Sequence, residues 1–137
     1  MNDRFAIVLF SGTADKLMAA ANIAAGGAAA GSEVTVFLTF GGLLAFRKDD
    51  WKTNQRLSAD LGPHADLVRQ AMQNPAMPSW MQVFKDAMEI GQLKITACLM
   101  TLEMFSLKLD DLEPVVSEVS TVSNFLGTSE GGRALFI

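Results

Sequence analysis

Two β-prone runs flank an alanine-rich stretch near the start of the chain, and no other feature restricts the fold as much. "RFAIVLF" (4–10) is a continuous apolar run suited to a strand buried on both faces. "EVTVFLTF" (33–40) is a second such run. Between them, "SGTADKLMAAANIAAGGAAAGS" (11–32) is a Ser-Gly-Thr turn followed by an Ala-rich helix, with Thr13 placed as N-cap, Asp15 in the first turn and Gly31 as the stop. A strand, a crossover helix and a strand within about forty residues predict a right-handed parallel unit.

The remaining chain extends that pattern. "GGLLAFRKDDWKTNQRLSADLGP" (41–63) is irregular, starting as an apolar Gly-led turn, and "PHADLVRQAMQNP" (63–75) reads as a short helix with Pro63 at its start. Ser79 caps "WMQVFKDAMEI" (80–90), whose Trp80, Phe84, Ala87 and Met88 share a face, and Gly91 ends it. "LKITAC" (93–98) is a third strand, "LMTLEMFSL" (99–107) a helix and "LDDLEP" a helical turn. "VVSEVS" (115–120) alternates as a fourth strand, 121–132 is a helix and turn, and "RALFI" (133–137) is a closing strand. Five strands alternating with helices predict an open α/β fold with a mostly parallel sheet, as one domain over 1–137.

Composition narrows the function classes. Half the residues are hydrophobic and 19% are charged, which suits an ordered core. Net charge is −4 and the 11 basic residues are scattered, so the basic face that nucleic-acid binding needs is not expected. The apolar runs are too short or too Gly-broken to span a bilayer, and "MNDRFAIVLF" lacks a signal-type pattern, so a cytoplasmic chain without membrane contact is expected. One cysteine and one histidine make a poor metal set, and no cofactor motif is present, so neither metal nor cofactor is expected. Two-cysteine redox chemistry within one chain is excluded; Cys98 must act with another molecule or a second chain.

Ligands of open α/β sheets sit beyond the carboxyl ends of the strands. Three segments leave strands in that way: Ser11, Gly12 and Thr13; Phe40, Gly41 and Gly42; and Cys98 with Met100 and Thr101. Two readings of Cys98 stand side by side. In one, amides at the start of the following helix stabilise a thiolate, opposed by the apolar Leu99, Met104 and Phe105. In the other it is a small apolar core residue. Lys94 is roughly 13 Å back along the strand and does not activate the thiol; Arg47 and Lys48 reach it only if 41–63 folds over the site. For Ser11-Gly12-Thr13 a capped turn is favoured over an anion site, because the glycine pattern of a nucleotide loop is missing. For "TFGGLLAF" a buried turn or subunit contact is favoured over a cofactor loop.

"LFSGTADKLMAAANIAAGGAAAGSEVTVFLTFGGLLAFRK" (9–48), "AMEIGQLKITACLMTLEMFSLKLDDL" (87–112) and the final "LFI" resemble the DsrE/DsrF-like family, nearest its "peroxiredoxin-like" branch of DsrE-type sulfur carriers. The most specific pieces are the strand exits "TFGGL" and "ACLMT". The resemblance implies a flavodoxin-like three-layer α/β sandwich without bound flavin and a homo-oligomer. It also implies that Cys98 carries sulfane sulfur as a persulfide, relayed to TusA- or rhodanese-type carriers or taken from a low-molecular-weight donor. Where such proteins carry Gly in the helix after the cysteine, this chain has Phe105 and Ser106, which would narrow the pocket around the sulfur.

Three functions follow for testing. The first is a sulfur carrier or sulfurtransferase on Cys98. The second is a homo-oligomeric binding or assembly module with Cys98 packed away, in which "TFGGLLAF" and the Met/Trp-rich 76–90 segment are subunit surfaces. The third, a thiol peroxidase, needs an outside reducing thiol.

Overall fold

The parallel unit read from the first forty residues is present. In the computed structural model, which describes residues 3–137, β1 (Arg4–Leu9) pairs in parallel with β2 (Glu33–Leu38) along its whole length. The crossover is α1 (Ala14–Ala29). It ends in a Schellman motif: Gly31, at φ 90°, donates to Ala28 O and Ser32 to Gly27 O.

β3 (Leu93–Cys98), β4 (Val116–Ser120) and β5 (Arg133–Phe136) complete one five-stranded sheet in the order β4-β3-β2-β1-β5, every neighbouring pair parallel. β1 to β4 are laid down in one direction and β5 then crosses to the far side of β1. That reversal places helices on both faces, giving three layers.

The faces are unequally covered. On one, α1 lies against α4 (Trp80–Ile90), and the Ala20, Ala21 and Ala24 side chains let it approach Ile7, Val36 and Ile95 closely. Ser79 caps α4 as expected, accepting from Gln82 N. On the other face, α6 (Val122–Thr128) contributes Phe125 to a small cluster with Ala6, Phe37 and Cys98.

Three local readings change. β2 stops at Leu38, and residues read as strand end and turn form α2 (Phe40–Leu44), with Phe40 at φ 44°. Segment 50–64 folds into two 3-10 turns ahead of α3 (Ala65–Met72). α5 (Leu99–Met104) is shorter than read. It ends in a second Schellman motif, Ser106 donating to Glu103 O and Leu107 to Leu102 O, with Ser106 left-handed at φ 54°. The expectation that Phe105 and Ser106 narrow a sulfur pocket is therefore corrected. Both are exposed at the end of α5 away from Cys98, and Ser106 occupies a position where glycine relieves backbone strain. Ser106→Gly is expected to stabilise the fold by about 0.5–1 kcal/mol, read from the urea midpoint.

Candidate functional site at the carboxyl edge of the sheet

β3 alternates Lys94, Thr96 and Cys98 toward the α6 face, and Ile95 and Ala97 toward the main core. Cys98 is the last residue of that strand, opposite Ser120 of β4. Its side chain is 1% exposed. The cover is narrow: Phe125 is the one buried residue of α6, and its ring stacks on Phe37 at 4.6 Å and 14°. A side-chain bond ties the helix back to β4, Asn124 Nδ2 donating to Ser120 Oγ at 3.1 Å. Val122 and Leu126 of the same helix are exposed.

Lys94 pairs with Glu118 at 2.6 Å, further back on the same face. Arg47 pairs with Asp50 at 2.7 Å and bridges to Leu112, so segment 41–63 lies with the main core rather than over the sulfur. Beside Cys98, Thr101 is fully buried and its Oγ1 accepts from Phe40 N at 3.3 Å, locking α2 to α5. Leu99, Met100, Met104 and Phe105 are exposed on α5. Phe40, Phe10 and Phe136 form an aromatic row with centroids 5.2 and 5.6 Å apart. Phe136 is 71% exposed.

The Ser11-Gly12-Thr13 turn is occupied by the chain itself. Ser11 N donates to Ile137 O, Thr13 N to Ser11 Oγ and Ala14 N to Arg56 O, so these amides already have partners. Gly12 O accepts from Asn54 Nδ2 and from the Arg56 guanidinium. Asp15 Oδ1 accepts from Ser58 N at 3.1 Å. Burial pushes the Asp15 carboxyl up, but hydrogen bonds from the Ser58 and Thr13 side chains and from backbone amides outweigh it and hold the group below its ordinary value. Gly12 meets Gly41, where a Cβ on Gly12 would overlap Gly41 O, and Gly42 sits on the end of β1, its N donating to Phe10 O. These glycines let two strand exits touch.

The structure thus splits the sequence-derived residues into groups. Phe40, Met100 and Thr101 lie beside Cys98, whereas Ser11, Gly12, Thr13, Gly41 and Gly42 build the neighbouring exit. Sequence reasoning missed Phe37, Thr96 and Phe125. Alternation along β3 signalled Thr96, but nothing local signalled Phe125. A cavity of about 450 Å³, walled by Met18, Trp51, Met72, Met77 and Trp80, lies on the main-core side and includes none of the Cys98 cluster. Among the described residues no group of three His, Cys, Asp or Glu could hold a metal, and no helix is long and apolar enough to cross a membrane.

Comparison with known proteins agrees with this architecture. The chain is similar to the solved structures of MTH1491, a protein of unknown function from Methanobacterium thermoautotrophicum, and of the ychN protein from E. coli. For MTH1491 the TM-score is 0.63 at 14% identity, covering 99% of this chain and 100% of that one. For ychN the TM-score is 0.59 at 10% identity, covering 100% of both. It is 31% identical, over an alignment of 157 residues, to the uncharacterized protein YrkE of Bacillus subtilis (strain 168), covering 98% of this chain and 96% of that one. A model of the DsrE/DsrF/DrsH-like family matches residues 1–60. Fold, strand exits and these similarities place the chain in the DsrE/DsrF/DrsH-like family.

Proposed function

We propose that this chain carries sulfane sulfur on Cys98 within a sulfur relay. The observation that carries this reading is the placement of the sole cysteine at the carboxyl end of β3, closed off by one ring of a seven-residue helix instead of the main core. The Cys98 thiolate attacks the outer sulfur of a donor R–S–S⁻ or of thiosulfate. A Cys98–S bond forms, the donor S–S bond breaks, and the donor thiolate or sulfite leaves with the electron pair. An acceptor thiolate then attacks the carried sulfur and Cys98 leaves as thiolate, so no external oxidant or reductant is consumed. Leu99 and Met100, exposed in the first turn of α5 next to Cys98, offer an adaptable apolar surface at the mouth for a small carrier protein or a second copy of the chain.

Incubation with polysulfide or thiosulfate followed by intact-mass measurement tests the proposal. Wild-type protein is expected to gain one sulfur atom and Cys98→Ser none. An unmodified wild type, under conditions that load a known carrier, would count decisively against it.

The near-complete burial of Cys98 favours a second reading, an assembly module without sulfur chemistry. Of the surfaces expected for it, Leu43, Phe46, Trp80, Met81 and Phe84 are core residues, whereas Met77 and Ile90 of the 76–90 segment are exposed and remain free for such a contact. Under this reading the thiol stays silent until global unfolding. A peroxidase has no specific observation in its favour.

A further inference from the structure

Thr96 is 3% exposed, and its Oγ1 is the one buried side-chain nitrogen or oxygen among the described residues without a hydrogen-bond partner. A buried hydroxyl in that condition normally costs stability. Nothing in the packing requires it, since valine has the same shape and a comparable preference for strands. Thr96 stands two residues before Cys98 on β3, on the same face of the sheet, in register with Phe37 of β2 and Glu118 of β4. The hydroxyl is therefore next to the sulfur along the strand, on the side that Phe37 and Phe125 close.

We propose that the Thr96 hydroxyl holds the outer sulfur of the loaded protein, donating its hydrogen to the terminal sulfur of Cys98–S–S⁻. This rests on the sulfur-carrier reading and deepens it, by giving the carried atom a seat. Residues i and i+2 of a strand are about 6.6 Å apart. A second sulfur reaches about 2 Å beyond the first, which brings an anionic acceptor toward an O–H donor that otherwise has none. The Phe37–Phe125 pair keeps water off that contact. In the empty protein the hydroxyl is an unused donor; in the loaded protein it is satisfied. Thr96 is thus a positioning residue for the carried atom, with no role in deprotonating the thiol.

The test compares wild type, Thr96→Val and Thr96→Ser in two measurements. The first is the thermal midpoint of the unloaded protein. The second is the equilibrium distribution of sulfur between Cys98 and glutathione, started from glutathione persulfide and read by intact mass. Thr96→Val is expected to raise the midpoint by about 2–6 °C and to shift the sulfur roughly tenfold toward glutathione, the effect of losing one hydrogen bond to a charged acceptor. Thr96→Ser, which keeps the hydroxyl, is expected to load like wild type. Equal loading of wild type and Thr96→Val overturns the assignment and leaves the sulfur-carrier reading standing. A lower midpoint for Thr96→Val overturns it as well, because the hydroxyl would then be satisfied in the empty protein. Failure of wild type itself to load removes the sulfur-carrier reading, and this assignment with it.

Discussion

Phe125→Ala is expected to raise the rate at which a small disulfide probe labels Cys98 by about 30-fold or more. Phe125 is the one residue by which α6 is buried, and its ring, 4% exposed, lies flat on Phe37 above the sulfur. Burying a phenylalanine side chain contributes about 1.5–3 kcal/mol, and a stacked aromatic pair adds about 0.5–1.5 kcal/mol. Labelling of a covered thiol follows the population of the open state when reclosing is fast, so losing about 2 kcal/mol of cover multiplies the rate by about thirty. Leu126→Ala, on the outward side of the same helix, where Leu126 is 61% exposed, is expected to leave the rate unchanged. The denaturant dependence of wild-type labelling gives an independent reading. Opening by displacement of α6 exposes little surface, so the rate should rise only shallowly with urea below the unfolding transition. If the rate instead rises with the full slope of global unfolding, the thiol is reached only in the unfolded chain and the assembly reading stands.

Gly42→Ala is expected to destabilise the protein by about 3 kcal/mol, whereas Gly26→Ala is expected to stabilise it by about 0.5–1 kcal/mol. A Cβ on Gly42 would overlap the carbonyl of Leu9 and press on the Leu9 side chain, both buried where β1 ends. Backbone has to move there, at the contact that seats α2 between two strand exits. Gly26 lies inside α1 with nothing within 4 Å of its added Cβ, so the change only removes unfolded-chain freedom and improves helix propensity. Urea midpoints of the two variants measure both effects. A Gly42→Ala protein as stable as wild type would show that the strand exits do not need this close approach. The glycines would then be free for a role toward a ligand.

Much of the architecture was legible because its signals are local. β1 and β3 stand out as apolar runs bounded by turns, Ser79 and Gly91 bound α4, and Gly31 ends α1, each decided by hydrogen bonds within a few residues. The placement of Cys98 at a strand end followed from the same punctuation. "TFGGLLAF" was misread in part because its local chemistry, glycines after a strand, is that of a turn. What makes it a helix is long-range: Gly41 and Gly42 sit against the end of β1, and Leu43 and Phe46 reach the core.

Local patterning suffices for the five strands, their parallel sense and the single thiol at the end of β3. Whether that thiol meets solvent is set by how distant segments pack. β5 lies beyond β1 rather than beside β4, so the connection leading to it carries α6 across the opposite face and lays Phe125 on Phe37 over the sulfur. Strand order and helix side depend on which distant apolar surfaces bury one another. Such contacts join residues as far apart as Ala6 and Phe125, and no local period records them.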